Sequence, residues 1–224
     1  STNNNTGTLT NMDDDDWVAS TAPVGCTISG NSGFRMMSSP VAGTIYSDLL
    51  NELWIQGMTN GDITGGTANV WTLSGQSWSA LSNLNTASLT AGQGFLVYVY
   101  ADTDADGDDD LPVTLSVSGT ENSSSVTVPS SGSIADGDFA LAGNPYASTI
   151  DWDLVTISAV STTINVWDDA EGSNGGWKYY NSSGGGGDLT GGLIAPYQGF
   201  WIEGDGGSGT ITIETADKSS SSGT

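Results

Sequence analysis

The run "DTDADGDDD", Asp102 to Asp110, places six carboxylates within nine residues. Aspartates at alternate positions followed by glycine form the opening half of an EF-hand-type calcium loop. Asp102, Asp104 and Asp106 are spaced to converge, and Gly107 permits the sharp turn. Asp108 would add its backbone carbonyl, and Asp110 closes the expected ligand set. The chemistry is that of hard oxygen donors, with calcium as the expected cofactor and no redox role. Two features depart from the EF-hand: no helix flanks the loop, and Val113 stands where a bidentate glutamate belongs. The flanks "FLVYVYA" and "LPVTLSV" read as strands, so the loop is expected to cap a β-hairpin. The alternative is a solvated acidic tip whose like charges repel one another. "DDDD", Asp13 to Asp16, lacks the alternation and the glycine and reads as a charged turn.

Other chemistries are excluded by absence. The chain has no histidine, which removes Ser-His-Asp and Cys-His catalysis and the common zinc sites. Cys26 is the only cysteine, so no intrachain disulfide forms, and it reads as a small buried hydrophobe. The remaining catalytic option is a carboxylate pair, and Asp151 with Asp153 in "DWD" is the one candidate. Alternation would put both on one strand face, but their counterparts Tyr46 and Asp48 do not keep the pair. No catalytic residue is assigned, and the chain is expected to be non-enzymatic.

The elements that position these residues follow from composition and pattern. The chain has 224 residues, eight Trp and seven Tyr, enough material for one large or two ordinary cores. Against 26 acidic residues stand three basic ones, for a net charge of −23. Such a surface repels phosphate backbones and anionic lipid, so neither nucleic acid nor a membrane is an expected partner. No apolar run reaches membrane-spanning length. Without a signal-like opening, Ser1 reads as the start of a mature or trimmed protein.

Two stretches, "FRMMSSPVAGT" (Phe34 to Thr44) and "FALAGNPYAST" (Phe139 to Thr149), share a pattern. Phe34, Pro40, Thr44, Ile45, Asp48 and Leu49 match Phe139, Pro145, Thr149, Ile150, Asp153 and Leu154. "NVW" recurs at Asn69 and Asn165, Trp78 answers Trp177, and Gln93-Gly94-Phe95 answers Gln198-Gly199-Phe200. The order of landmarks is kept while the loops change length, which marks an internal duplication. Alternating β-branched and aromatic runs separated by Gly, Asn, Asp and Ser predict an all-β chain of two tandem β-sandwich-like domains. The expected boundaries are an N-terminal connector strand at 1–32, repeats at 33–118 and 134–218, a linker strand at 119–133 and a Ser-rich tail at 219–224. One short helix is expected in "YSDLLNELWIQG", capped by Ser47 or Asp48, with a single turn at "DWDLV". Trp71 with Trp167 and Trp78 with Trp177 are expected in the cores. Trp17, Trp152 and Trp201, without counterparts, are expected at the surface or an interface. "GNPY" reads as a structural turn.

"FALAGNPYASTIDWD", "INVWD", "GWKYYNSS" and "LIAPYQGFWIE" together resemble a β module of secreted Bacteroidota surface proteins. The earlier stretches resemble its usual partner in the same proteins, so the resemblance covers Gly33 to about Ile213. It implies an extracellular, non-catalytic module of the kind attached to type IX secretion sorting domains, and it carries no catalytic residues. The first copy departs from it, with Ser38-Ser39-Pro40-Val41 in place of Gly143-Asn144-Pro145-Tyr146.

Two functions fit. One is a structural subunit of a cell-surface filament, built head to tail from copies of the chain. On that reading the N-terminal segment supplies the strand that the C-terminal "GTITIET" lacks, with Leu9 and Trp17 at the interface. The other is a surface-displayed carbohydrate-binding or adhesion module with a glycan as partner.

Overall fold

The computed structural model describes residues 24–169, 171 and 175–221. The first half contains β1 (Val24–Ile28), β2 (Gly33–Met37), β3 (Val70–Ser74), β4 (Ser77–Ala80), β5 (Phe95–Val99) and β6 (Val113–Val117), with one helix, α1 (Tyr46–Leu49). The second contains β7 (Val126–Val128), β8 (Phe139–Gly143), β9 (Ile150–Asp151), β10 (Thr156–Ser158), β11 (Thr163–Asp168) and β12 (Gly176–Asn181). It ends with β13 (Gly186–Gly187), β14 (Leu193–Ile194), β15 (Gly199–Glu203) and β16 (Thr210–Ile213). The chain is all-β, as its alternation predicts.

Each half is sandwich-like. In the first, the sheet β2-β5-β3-β4 is accompanied by the pair β1-β6. In the second, β13-β12-β11-β15-β8 is accompanied by β10-β16-β7. Alternation chooses the buried face: Phe95, Val97 and Val99 are fully buried on β5, while Leu96 and Tyr98 between them are only half-buried. One core gathers Ile28, Val70, Phe95, Val97, Val99, Leu115 and Val117; the other gathers Val126, Val128, Ile164, Val166, Phe200, Ile202, Ile211 and Ile213. The cores are not sealed from each other, because Tyr197 of the second half is buried in the first core.

The helix is shorter than the sequence suggests. It spans four residues, its N-cap is Ile45, and neither Ser47 nor Asp48 caps it. The Asp48 carboxylate instead accepts the Ser118 N–H at 2.6 Å, which ties the turn to the end of β6. At "DWDLV" a turn does form, with Leu154 N–H donating to Asp151 O and Val155 N–H to Trp152 O.

The duplication is written in the strand register. Phe34 pairs with Tyr98 and Phe139 with Glu203, and each residue of the second pair lies 105 positions after its counterpart (139 − 34, 203 − 98). The same spacing joins the two "QGF" turns. Gly92 and Tyr197 both adopt positive φ (78° and 64°). Gln93 and Gln198 each turn their side-chain oxygen back to the N–H three residues earlier, at 3.5 and 3.0 Å. The "NVW" strands also lie beside the "QGF" strands, but slipped by two residues. Trp71 pairs with Leu96, whereas Asn165 pairs with Trp201, the counterpart of Leu96. A two-residue slip keeps every side chain on its face. The position structurally equivalent to Trp167 is therefore Leu73, while Trp78 and Trp177, cross-strand partners of Leu73 and Trp167, remain equivalent.

The halves meet through a pseudo-two-fold seam made of these landmarks. Met37 bridges Gln198, and its counterpart Ala142 bridges Gln93. Ser38 N–H donates to Tyr197 O while Gly143 N–H donates to Gly92 O, both at 2.8 Å. Residues 38 and 143 face each other there: a Cβ on Gly143 would stand 2.3 Å from the Ser38 Cβ. "GNPY" is the turn beneath. Asn144 is fully buried, its Oδ1 accepts the Tyr146 N–H, and its Nδ2 lies within hydrogen-bond distance of the carbonyls of Ser148, Ile194 and Ala195. Ser39, the counterpart of Asn144, reproduces one of these bonds, accepting the Val41 N–H at 3.0 Å.

A candidate aromatic cleft at the seam

The tips of two hairpins reach across the seam. Between β3 and β4, Gln76 lies against the Phe139 end of β8, on the edge that faces away from β15. Its Nε2–H donates to Phe139 O at 2.9 Å, and its Oε1 accepts Phe139 N–H at 3.0 Å. The carboxamide thus stands in for one residue of an added strand. Beside it opens a cleft of about 430 Å³ lined by Leu73, Gln76 and Trp78 from the first half and Phe139, Asn165, Trp177 and Trp201 from the second. Trp78 is 42 % exposed, Trp177 49 % and Phe139 41 %. Each exposed indole is braced by another. Trp78 meets Trp201 edge to face at 5.7 Å, Phe139 meets Trp201 at 6.0 Å, and Trp177 meets Trp167 at 5.1 Å. Such perpendicular packing fixes ring orientation while leaving apolar surface in water.

This placement reverses the sequence expectation for tryptophan. Trp78 and Trp177 stand on the outer sheet faces and Trp71 and Trp167 are half-buried beside them, where core positions were expected. Val70 and Val166, their immediate neighbours, take the inward positions at 0 and 1 % exposure, and a strand cannot send adjacent side chains to one face. That alternation was the available signal. Trp152, expected at the surface, is buried at 1 %, packed on Phe200 with its Nε1–H donating to Thr162 O. Trp201 is half-buried in the cleft.

At the symmetric contact, the β11–β12 hairpin meets β2 through charge. Arg35 pairs with Asp169 at 2.6 Å and donates to Ser29 O, Asn31 O and Phe34 O. Burial lowers the Arg35 pKa, opposed by the charges of Asp169 and Asp168.

The Asp102–Asp110 segment does not cap a hairpin. β5 lies in the sheet with β2 and β3, whereas β6 pairs with β1, so the segment is a crossover between two sheets. Its bases are held together by Asp110 N–H donating to Ala101 O. Asp102, Asp104 and Asp106 do converge, with one oxygen of each within 4.8 Å of the others. They also cap their own loop: Asp102 accepts the N–H groups of Ala105 and Gly107, Asp104 that of Asp106, and Asp106 that of Asp108. The carboxylates of Asp108 and Asp110 stand outside the cluster, and the Asp110 carboxylate accepts both the N–H and hydroxyl of Thr103. The Asp106 N–H favours ionised Asp104, but desolvation and the charges of Asp106, Asp110 and Asp102 outweigh it and raise the Asp104 pKa.

The remaining candidates sit in local hydrogen-bonded structure. Asp151 accepts the Asp153 N–H in a turn, and Asp153 accepts the Tyr180 hydroxyl at 2.8 Å. Cys26 is half-buried against the first core, and burial pushes its thiol up to about 11. Leu9, Trp17 and Asp13 to Asp16 lie outside the described residues. The described part of the N-terminal segment, β1, pairs with β6 of its own chain, and β16 already has β7 on one side and β10 on the other. The junction expected between chain ends rests on the segment before Val24, which lies outside the described residues. Among the described residues, no helix is long and apolar enough to cross a membrane. Comparison with family models, with curated proteins and with solved structures returns no match.

Proposed function

We propose that the chain is a non-enzymatic, extracellular carbohydrate-binding or adhesion module that works through the aromatic cleft at its seam. The observation that carries this reading is the cleft itself. Trp78 and Trp177 come from equivalent positions of the two halves, face one groove, and keep nearly half their surface in water. Exposed indoles on a rigid sheet offer flat apolar area at little conformational cost, which is what stacking on a sugar ring requires. The extracellular setting rests on the resemblance to secreted surface modules and on the acidic, single-cysteine composition. Calcium at Asp102, Asp104 and Asp106 belongs to the same proposal as a structural ion, since three converging carboxylates, with Asp104 held to a raised pKa by its neighbours, gain from a hard cation. The test is retention of the full chain on immobilised polysaccharides. Retention that Trp78→Ala and Trp177→Ala abolish is the expected result; retention that both leave intact, or none at all, defeats the reading.

A further inference from the structure

Resting on that reading, we infer that the ligand is an uncharged glycan whose hydroxyls are oriented by Asn165. The cleft is not a featureless apolar groove. Asn165 sits on the outer face of β11, directly across from Trp201 in the ladder. Its half-buried carboxamide has no hydrogen-bond partner among the described residues. Gln76, the other amide of the cleft, has its oxygen and one N–H committed to the Phe139 backbone. Asn165 therefore offers a free oxygen acceptor and a free NH2 donor within a ring of aromatic side chains. A sugar hydroxyl is donor and acceptor at once, so two neighbouring hydroxyls can meet both ends of one carboxamide.

Charge selects within that class. None of the seven residues lining the cleft is charged. The chain has only three basic side chains, and each is engaged: Arg35 with Asp169, Lys178 with Asp168 and Lys218 with Glu121. A uronate or sulfate would gain no counter-charge in the cleft and would approach a chain of net charge −23. Quaternary ammonium groups also favour aromatic surroundings, and the acidic field attracts them. The cleft's size and its unpartnered amide favour the polyol instead, because an alkylated ammonium leaves the Asn165 groups unsatisfied. A volume of about 430 Å³ lies in the range of a small-ligand site.

The two exposed indoles come from different halves, so the glycan would lie across the seam and touch both walls. Truncating either wall should then weaken binding, unlike a site built on one half.

Affinity electrophoresis and calorimetry of the full chain test the inference, with soluble mannan, xylan and mixed-linkage β-glucan as neutral probes. Polygalacturonate serves as the anionic probe and tetramethylammonium as the cationic one. The expected result is binding of at least one neutral polymer, weakened tenfold or more by Trp78→Ala and by Trp177→Ala alike. Asn165→Ala should weaken it severalfold with unchanged thermal stability, and Asn165→Asp should not restore it. Binding confined to polygalacturonate overturns the neutral assignment while leaving a carbohydrate-binding module. Binding confined to tetramethylammonium, or no binding of any probe, overturns both. Neutral binding that survives Asn165→Ala unchanged removes Asn165 from the site and overturns the orientation argument alone.

Discussion

The two hairpin contacts across the seam occupy symmetric places and use opposite chemistry. On one side, the neutral Gln76 copies a strand edge against Phe139 and leaves open aromatic surface beside it. On the other, Arg35 is clamped by Asp169 and three backbone carbonyls, and Phe34 packs on Trp71 and Tyr98. Between them the frame is the same: the bridges, the positive-φ turn and the Phe34/Phe139 register all repeat. A duplicated fold can hold its symmetry in backbone geometry while its side chains divide the work, one contact fastening the halves and the other exposing a surface.

The frame is the first thing to break. Gly94 and Gly199 are counterparts, and a Cβ on either would meet backbone of the opposite half, Ala142 O at 2.6 Å or Met37 O at 2.9 Å. Backbone cannot swing away as a side-chain end can. Gly94→Ala and Gly199→Ala should each cost about 1–3 kcal/mol, the usual range for overpacking, and roughly the sum together. Gly184, whose Cβ would meet nothing within 4 Å, provides the control, and Gly184→Ala should stay within about 0.5 kcal/mol. Denaturant unfolding measures all four. Equal effects at Gly94 and Gly184 would dissolve the seam as a packed interface.

Next come the two contacts themselves. Arg35→Ala strands Asp169 and three carbonyls, but Asp169 is about a third exposed and can rehydrate, so a cost of about 1–3 kcal/mol is expected rather than that of a fully buried pair. Gln76→Ala frees groups at an exposed strand edge that water can reach, and about 0.5–1.5 kcal/mol is expected. If Gln76→Ala proves the costlier, the division into fastening and exposing sides is reversed. Trp78→Ala should change stability less than Trp152→Ala, which empties a buried site and should cost about 3–5 kcal/mol.

Phe34 and Phe139 announce the repeat because they hold the same register, opposite Tyr98 and Glu203, in the two sheets. The all-β character was legible for a local reason, since alternation and turn residues report the immediate chain. Trp71 and Trp167 share a motif without sharing a core position, because the phase set by Val70 and Val166 points them outward. Trp152 sits in a turn, where no period exists to read. The cleft was illegible altogether, because Trp78 and Trp177 come together only through a seam that sequence order does not encode. The Asp102 loop was half legible: its carboxylates converge, but the partners of β5 and β6 are set by sheets far along the chain.

The smallest expected effect lies at that loop, and it separates the two halves once more, because the matching segment in the second half, "GDGGSG", keeps only Asp205. A bound cation stabilises the state that holds it in proportion to the logarithm of its concentration, about 1 kcal/mol at free calcium four times Kd. The pH dependence has a definite sign. Without an ion, the raised Asp104 pKa means that the folded loop favours the protonated carboxyl, a contribution present at low pH and lost as pH rises through the folded pKa. Calcium requires the ionised form, so its stabilisation must run the other way, absent in acid and growing as Asp104 ionises. Melting curves of the full chain with calcium and with chelator should therefore coincide near pH 3 and separate by pH 7. Asp104→Asn with Asp106→Asn should close that gap while leaving glycan retention at the cleft unchanged. Curves that coincide at both pH values would make the three aspartates a self-capped loop, held by the N–H groups of Ala105, Asp106, Gly107 and Asp108 alone.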